Sequence, residues 1–315
     1  MTGQLFDVLK IINVWRLIKN IQPDVVQTWM YHADLIGGLA ARFAGVHTVI
    51  WGIHSTVLKY GETKFATICI VYLLALFSYF IPKRIIVCAN QSKKAHVRLW
   101  YRKSIIRVVA NGYDLSHFSI DIKKKRAWMD EFVLNQEIPC LGMVGRFDSY
   151  KDHNNLIEAL SLLRSRKYDF RCFLIGAKMD EENTELVKLV ESNGLAKQIE
   201  LVGSRADIPV VMNGLDIHIL SSSMEAFPNV LAEAMACGTP CVSTDVGDAA
   251  FILGETGWLT PPRDPRKLAN KIAEAINCLF APGWKDRQNA ARKRIVDNFS
   301  IDTMARQYQS IWIES

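Results

Sequence analysis

The sequence of 315 residues lacks the features that would place it outside the ordinary globular proteins. It has no glycine repeat, which excludes a fibre, and its hydrophobic content of 50% is too high for a disordered chain. The seven cysteines form no Cys-x-x-Cys pair and lie in apolar segments, which favours reduced, buried thiols over a disulfide framework. No charged start followed by an apolar core opens the chain, so we expect a cytoplasmic protein without a secretory signal.

The excess of positive charge is small. Lys and Arg number 38 against 32 Asp and Glu, which gives a net charge of +6 and a pI near 8.9. This excess is too small to indicate a nucleic-acid partner, but it suits contact with an anionic ligand or an anionic lipid surface.

One long hydrophobic run, residues 65–81, carries no charge. It is just short of the roughly 18 residues that mark a membrane-spanning helix, and Pro82-Lys83-Arg84 ends it before a short apolar segment. A helix that leads directly into a strand belongs to a βα layer. We therefore favour a buried helix, or a helix with one face on the membrane, over a true span.

Short apolar segments alternate with amphipathic helical patterns along most of the chain. The candidate strands are residues 24–28, 48–51, 84–89 and 105–109, followed by 139–145, 171–176, 199–203, 216–220, 240–244 and 257–259. Strands that are apolar on both faces and separated by helices indicate parallel sheets covered on both sides. The sequence thus predicts two doubly wound α/β domains with a cleft between them, divided near the basic segment 121–126.

The first half is smaller than the second. It opens with a helix-like run at residues 6–20, whereas a Rossmann-like half normally opens with a strand and a Gly-rich turn. At about 30 residues per βαβ unit, about 40–70 further residues would restore the symmetry. We expect either an unusually small first domain or one that lacks its first one or two βα units.

Residues 221–240 are the most informative segment, because a predicted strand ends there and a helix begins. Glu225 is expected at the lip of the loop, and Glu233 about one turn into the helix, where its carboxylate can accept hydrogen bonds from a ribose diol. The residues expected to form a phosphate-binding helix start are Phe227, Pro228, Asn229 and Val230. Two glutamates alone would more often be a cap and part of a solvated face.

A second segment, residues 143–152, follows another predicted strand. Arg146 and Lys151 lie where the carboxyl end of a parallel strand places ligand-binding residues, directly after Gly145. An Arg fork and a Lys point charge are suited to a diphosphate, although either alone would more often be a solvated loop charge.

Together and in this order, the two segments resemble the family 4 retaining glycosyltransferases of the GT-B fold. Glu225 to Glu233 is similar to that family's E-x7-E signature, and Gly145-Arg146 with Lys151 is similar to its G-R…K element. Further similar segments are residues 27–34, 51–55, 108–114, 242–250 and 257–259. The resemblance covers most of the chain and implies an α/β protein of two Rossmann-like domains facing across a cleft, the N-terminal one incomplete.

The resemblance also implies domain limits. Residues 1–119 would form the acceptor-side domain and residues 120–302 the nucleotide-sugar-binding domain. The final helix, residues 303–315, would cross back to the first domain, with Trp312 packing between the domains.

The resemblance implies a role for each matching residue. Arg146 and Lys151 would bind the donor diphosphate and stabilise the departing nucleotide, so no metal or other cofactor is expected. Glu225 would hydrogen-bond the donor sugar and Glu233 the ribose. The full donor-binding set would be Gly145, Arg146, Lys151, Glu225, Phe227, Pro228, Asn229, Val230 and Glu233.

On the acceptor side, His54 matches a histidine near the transferred sugar, with a loop-packing role as the alternative. For His32, loop packing is favoured over acceptor contact. Asn111 is expected to fix the turn between the domains. Arg146, Lys151, Glu225 and His54 are thus the candidate catalytic residues.

The implied reaction moves a sugar from a nucleoside-diphosphate donor, with UDP the expected carrier, to a lipid-linked or cell-surface glycan acceptor with retention of anomeric configuration. Peripheral contact with the anionic cytoplasmic membrane face would bring the enzyme to such acceptors. The alternatives are a truncated chain that binds nucleotide without transfer and a nucleotide-sugar 2-epimerase of the same fold.

Overall fold

The computed structural model describes residues 8–55, 63–135 and 137–315, which form two α/β units. Unit 1 comprises Met1–Ala110 and Met304–Ser315, and unit 2 comprises Asn111–Thr303. Residues 111–119 were expected in the first domain but belong to unit 2. Their contacts explain the difference, because the backbone N–H of Tyr113 donates to the carbonyl of Phe299 at 2.9 Å.

Unit 1 contains the four parallel strands that the sequence predicts. Its elements are α1 (Val8–Ile21), β1 (Val25–Trp29), α2 (Tyr31–Phe43), β2 (Thr48–Ile53), α3 (Phe65–Phe77), β3 (Arg84–Val87), α4 (Asn90–Arg98) and β4 (Ile106–Val108). The strands are hydrogen-bonded in the order β1-β2-β3-β4. Val49, Ile50 and Trp51 on β2 are fully buried, as expected for a sheet covered on both faces.

The long hydrophobic run forms α3, which ends at Phe77, and β3 begins shortly after it. Within the three described ranges, no helix combines the length and the hydropathy that crossing a membrane requires.

Unit 2 contains the six parallel strands that the sequence predicts. Its elements are α5 (Ile122–Glu131), β5 (Cys140–Val144), α6 (His153–Ser165), β6 (Arg171–Ile175), α7 (Thr184–Ser192), β7 (Ile199–Gly203), α8 (Ile208–Gly214), β8 (Ile217–Leu220), α9 (Asn229–Ala236), β9 (Cys241–Thr244), α10 (Ala249–Leu253), β10 (Trp258–Thr260), α11 (Pro265–Leu279) and α12 (Trp284–Asn298). The strand order is β7-β6-β5-β8-β9-β10. From β5 to β7 each new strand is added on one side of the sheet, and β8 is then added on the other side of β5. Ligands of open α/β sheets bind in the crevice at this switch point, between β5 and β8.

The last helix, α13 (Ile301–Ile313), contributes to unit 1 from Met304 onward. Tyr308 packs against Ile50 and Ile86 of the sheet, and the indole N–H of Trp312 donates to Oε1 of Gln27 at 2.6 Å. The helix therefore covers part of the unit 1 sheet.

Asp34 on α2 is a fully buried carboxyl group in unit 1. Its Oδ1 accepts a hydrogen bond from the Thr28 hydroxyl at 2.6 Å, and burial raises its pKa from 3.8 to about 8. The folded state thus holds the proton more tightly than the unfolded state, so the free energy of unfolding falls as the pH rises between those two values.

We expect Asp34→Asn, which mimics the protonated acid, to reduce this loss. Between pH 5 and pH 8 the wild type should lose about 1–3 kcal/mol more unfolding free energy than the variant. Urea unfolding at both pH values measures the difference. Equal losses in the two proteins would contradict the raised pKa.

Candidate functional site

The two segments singled out in the sequence lie side by side at the carboxyl edge of the unit 2 sheet. Residues 145–152 follow β5 and residues 221–228 follow β8, and these two strands are neighbours. The backbone N–H of Ser223 donates to the Tyr150 carbonyl at 2.7 Å, and the Ser221 hydroxyl donates to the Lys151 carbonyl at 2.8 Å. These hydrogen bonds hold the two loops together.

Lys151 and Glu225 form an ion pair between the loops. Nζ of Lys151 lies 2.7 Å from Oε1 of Glu225, and the side chains are only 19% and 16% exposed. The Ser222 hydroxyl donates to the same carboxylate oxygen at 2.8 Å. Since an ammonium group has three donors, Lys151 keeps further donors for a ligand anion while bonded to Glu225.

Gly145 allows Lys151 to lie across the end of β5. A Cβ atom on Gly145 would come within 3.3 Å of the Lys151 side chain. Beside these groups is a cavity of about 420 Å³. It is lined by Gly145, Arg146, Asp148, Tyr150, Lys151, Met224 and Glu225. The structure therefore brings together the glycine, both cations and the first glutamate of the predicted set.

Arg146 differs from Lys151 because its side chain extends into solvent. The guanidinium is held by Asp148, with Nε 3.1 Å from Oδ2, and the side chain is 71% exposed. An exposed ion pair of this kind contributes about 0–1 kcal/mol, so it does little to keep Arg146 away from a ligand in the cavity.

The helix start at α9 is fixed by unit 2 residues that precede α5. Oδ1 of Asn229 accepts hydrogen bonds from the Asn111 amide at 2.8 Å and from the Tyr113 hydroxyl at 2.7 Å. The side chain of Phe227 is buried against Phe299, and Pro228 is buried at the N-cap. Of these residues, therefore, Phe227 and Pro228 could offer a ligand only backbone groups.

Glu233 lies one turn into α9 and is half-buried, as is Val230 near the helix start. Burial raises the pKa of Glu233, and the positive charge of Lys151 lowers it in part. Lys151 therefore forms an ion pair with the first carboxylate of the E-x7-E segment and stabilises the charged form of the second.

The two histidines lie at the corresponding edge of unit 1. His54 follows β2 and packs on Trp29, with 5.0 Å between the ring centroids. Partial burial lowers its pKa, while its ring remains accessible to solvent. His32 is exposed in the first turn of α2. Both residues thus lie at the carboxyl edge of the sheet, and their roles stay predictions.

The sequence pattern gives no role to His218, which lies against the last residue of β5. The ring is fully buried on β8, and its Nε2 lies 3.4 Å from the backbone N–H of Val144. Burial lowers its pKa to about 3, and the Lys151 charge acts in the same direction. The ring is therefore neutral and can accept this hydrogen bond. In the sequence, the one feature that could have drawn attention to His218 is its position inside an otherwise apolar predicted strand.

Gly247 is a second residue without an assigned role. Its φ is +56°, and a Cβ atom there would lie 2.4 Å from the carbonyl oxygen of Ala226. The next residue, Asp248, donates its backbone N–H to that carbonyl at 3.0 Å. The turn after β9 therefore supports the loop that carries Glu225.

We expect Gly247→Ala to destabilise the fold and weaken ligand binding at this loop. Gly283→Ala is the matched control, because Gly283 also has a positive φ, +95°, but nothing lies within 4 Å of its added Cβ. Backbone strain alone costs about 1 kcal/mol, and the clash should add about 1–3 kcal/mol at Gly247 only. Thermal unfolding of both variants tests this, and similar losses would contradict it.

Comparison with known proteins identifies the family. Residues 124–294 match the family described as Glycosyl transferases group 1, and residues 2–117 match Glycosyltransferase Family 4. The chain belongs to the Glycosyl transferases group 1 family. The resemblance to family 4 glycosyltransferases stated from the sequence is confirmed.

Two curated bacterial enzymes are similar over most of the chain. The Escherichia coli UDP-Gal:alpha-D-GlcNAc-diphosphoundecaprenol alpha-1,3-galactosyltransferase is 25% identical over 98% of this chain and 80% of its own length. A Campylobacter jejuni N,N'-diacetylbacillosaminyl-diphospho-undecaprenol alpha-1,3-N-acetylgalactosaminyltransferase is 24% identical over 94% of this chain and 78% of its own length.

Solved structures show the same fold. Anabaena Alr3699/HepE in complex with UDP has a TM-score of 0.85 at 21% identity and covers 97% of this chain and 82% of its own. A glycosyltransferase from Rickettsia africae has a TM-score of 0.85 at 23% identity and covers 100% of this chain and 83% of its own. The GT-B fold expected from the sequence is confirmed.

Proposed function

We propose that this chain transfers a sugar from a UDP-linked donor to a lipid-linked or cell-surface glycan acceptor, with retention of anomeric configuration. The observation that carries the proposal is the Lys151–Glu225 pair at the crevice between β5 and β8. The names of two relatives, which describe transfer to diphospho-undecaprenol-linked sugars, support the acceptor class. The complex of Alr3699/HepE with UDP supports the choice of nucleotide.

In this proposal the donor spans the cavity between the two loops. Lys151 directs its remaining donors to the diphosphate, and Arg146 turns from Asp148 to the same group. The α9 start adds backbone N–H groups, which favour an anion at a helix N-terminus. Glu225 accepts hydrogen bonds from the sugar hydroxyls and Glu233 from the ribose, and bidentate hydrogen bonding to a carboxylate is strong.

The transfer exchanges one bond for another on the same face of the sugar. The bond between the anomeric carbon and the β-phosphate oxygen breaks, and the acceptor oxygen bonds to that carbon from the same side. The acceptor proton passes to the departing phosphate oxygen. Lys151 and Arg146 stabilise the negative charge that develops there, so we propose that the reaction needs no metal ion.

The unit 1 residues would serve the acceptor side. His54 is held by Trp29, and its lowered pKa keeps the ring neutral near pH 7, so that it can donate or accept one hydrogen bond with a sugar hydroxyl. His32, which is exposed in the first turn of α2, would also be on the acceptor side. An enzyme that uses lipid-linked acceptors would work at the membrane surface.

The test uses the purified full chain with chelator present. UDP-galactose and UDP-N-acetylgalactosamine are each incubated with a sugar-diphosphoundecaprenol acceptor, and product is separated by chromatography. We expect acceptor-dependent sugar transfer from one donor. Conversion of the donor sugar without any acceptor would instead indicate an epimerase, and UDP binding with neither reaction would indicate a nucleotide-binding chain.

A further inference from the structure

One face of α3 exposes apolar side chains to solvent. The exposed residues, which we term the α3 stripe, are Phe65, Cys69, Tyr72, Leu73, Leu76 and, just after the helix, Phe80. Apart from the neighbours Tyr72 and Leu73, their spacing of three or four residues places them on one side, and Phe65 and Phe80 are 79% and 71% exposed. The opposite side is buried in the unit 1 core through Ile70, Val71 and Leu74. A helix on a protein surface normally presents polar residues outward, so the α3 stripe is typical of a contact surface.

The end of the α3 stripe borders a basic cavity in unit 1. This cavity of about 510 Å³ is lined by Tyr79 and Phe80 together with four cations, Arg42, Lys83, Arg84 and Arg102. Glu314 also lines it and accepts a hydrogen bond from the Ser310 hydroxyl at 2.8 Å. The cavity therefore has a positive balance of charge.

The three arginines of the basic cavity are not neutralised by their immediate hydrogen-bond acceptors. Arg42 donates to the backbone carbonyl of His47 at 3.2 Å, and Arg84 donates to the backbone carbonyl of Lys83 at 2.9 Å. Arg102 donates to the hydroxyl of Ser104 at 3.3 Å. A carbonyl or hydroxyl accepts a hydrogen bond but carries no net charge, so an anion can still bind these arginines.

Positive charge is concentrated in the unit that carries this surface. Unit 1 has 15 Lys and Arg against 5 Asp and Glu, a net charge of +10, whereas unit 2 has 23 against 27, a net charge of −4. Residues 63–113 contain nine Lys and Arg and no acidic residue. The net charge of +6 for the whole chain is therefore the sum of a strongly basic unit 1 and a weakly acidic unit 2.

We propose that unit 1 docks on an anionic phospholipid bilayer, with the α3 stripe in the acyl boundary and a lipid phosphate in the basic cavity. An apolar helix face next to clustered cations is the arrangement that binds peripheral proteins to anionic membranes. A second copy of this chain is disfavoured as the occupant, because pairing through this face would bring two units of net charge +10 together. The proposal rests on the proposed function only in that a lipid-linked acceptor would lie in the same bilayer.

The test is co-sedimentation of the full chain with vesicles of equal parts phosphatidylglycerol and phosphatidylcholine, or of phosphatidylcholine alone. Leu76→Asp/Phe80→Asp alters the α3 stripe, and Arg42→Gln/Arg102→Gln alters the basic cavity. The matched controls in unit 2 are Val133→Asp/Phe280→Asp, at exposed apolar residues, and Lys197→Gln/Arg266→Gln, at exposed cations.

We expect the wild type to prefer the phosphatidylglycerol vesicles by about tenfold or more, and each unit 1 variant to lose about tenfold in partitioning. The unit 2 variants should bind as the wild type does. Added NaCl should release the wild type, since salt screens the contact between cations and headgroups. Inorganic phosphate at equal ionic strength should release no more protein than NaCl does, because a lipid phosphate is held in the cavity together with the inserted α3 stripe, whereas a free phosphate ion would have the cavity contacts alone.

Three results would overturn the proposal. The first is equal binding to both vesicle types, and the second is equal loss in the unit 1 and unit 2 variants. The third is a wild type that does not sediment but forms a dimer in light scattering that Leu76→Asp/Phe80→Asp abolishes, since the face would then bind a second copy. UDP titration of every variant, together with thermal unfolding, separates this outcome from failure of the donor site, which lies in unit 2.

Discussion

Replacement of Lys151 by alanine is expected to weaken UDP binding about 30- to 1000-fold, or about 2–4 kcal/mol. The variant loses the diphosphate contact that we propose. It also leaves Glu225, whose side chain is only 16% exposed, without its ion-pair partner beside the phosphates. Isothermal titration calorimetry with UDP measures the loss. Glu233→Ala, which removes the proposed ribose contact, should weaken UDP binding as well.

The exposed pair of Lys271 and Glu274 supplies the control for Lys151. These residues lie 2.8 Å apart, with side chains 37% and 51% exposed. Lys271→Ala should leave UDP binding unchanged. An exposed pair contributes little, and this pair lies on α11 rather than in the loops that form the proposed donor site. Equal affinities of the Lys151→Ala and Lys271→Ala proteins for UDP would contradict the proposed donor site.

Replacement of Glu225 by glutamine is expected to separate sugar recognition from nucleotide binding. The amide keeps an oxygen acceptor but loses the charge that strengthens hydrogen bonds to the sugar. The value of kcat/KM for the UDP-sugar should fall about 10- to 100-fold, the cost of about 1.5–3 kcal/mol for a hydrogen bond to a charged group. UDP itself, which has no sugar, should bind about as tightly or more tightly, since a negative charge near the diphosphate is removed.

Steady-state transfer kinetics and UDP titration of the same preparation test this separation. Glu274→Gln is the control, because it makes the same chemical change in an exposed pair. The assignment of Glu225 to the sugar would be wrong if UDP affinity and kcat/KM fell together by the same factor.

The sheets and the loop positions could be predicted from the sequence. Strands buried on both faces read as short apolar runs, and all ten candidate strands correspond to strands in the two sheets. Residues that follow such strands share one edge of a parallel sheet, so Lys151 and Glu225 could be expected to lie close together. Their ion pair at 2.7 Å agrees with that expectation.

Contacts that depend on packing between distant segments could not be predicted in this way. The burial of Phe227 against Phe299 and the exposure of Arg146 follow from tertiary neighbours rather than from local pattern. The hydrogen bond between Asn111 and Asn229 joins residues far apart in sequence.

The position of the α3 stripe could not be predicted from the sequence either. Periodicity could not tell which side of a uniformly apolar helix faces solvent. Only the packing of Ile70 and Leu74 into the unit 1 core decides it.

The most direct test of the central claim is the anomeric configuration of the transferred sugar. An α-linked UDP-sugar is incubated with a sugar-diphosphoundecaprenol acceptor and the full chain, and the new linkage is determined by the proton NMR coupling of its anomeric hydrogen. We predict an α-linked product from the wild type and strongly reduced product from Lys151→Ala and Glu225→Gln. A β-linked product, or equal yields from the wild type and both variants, would contradict retention at the site formed by these two residues.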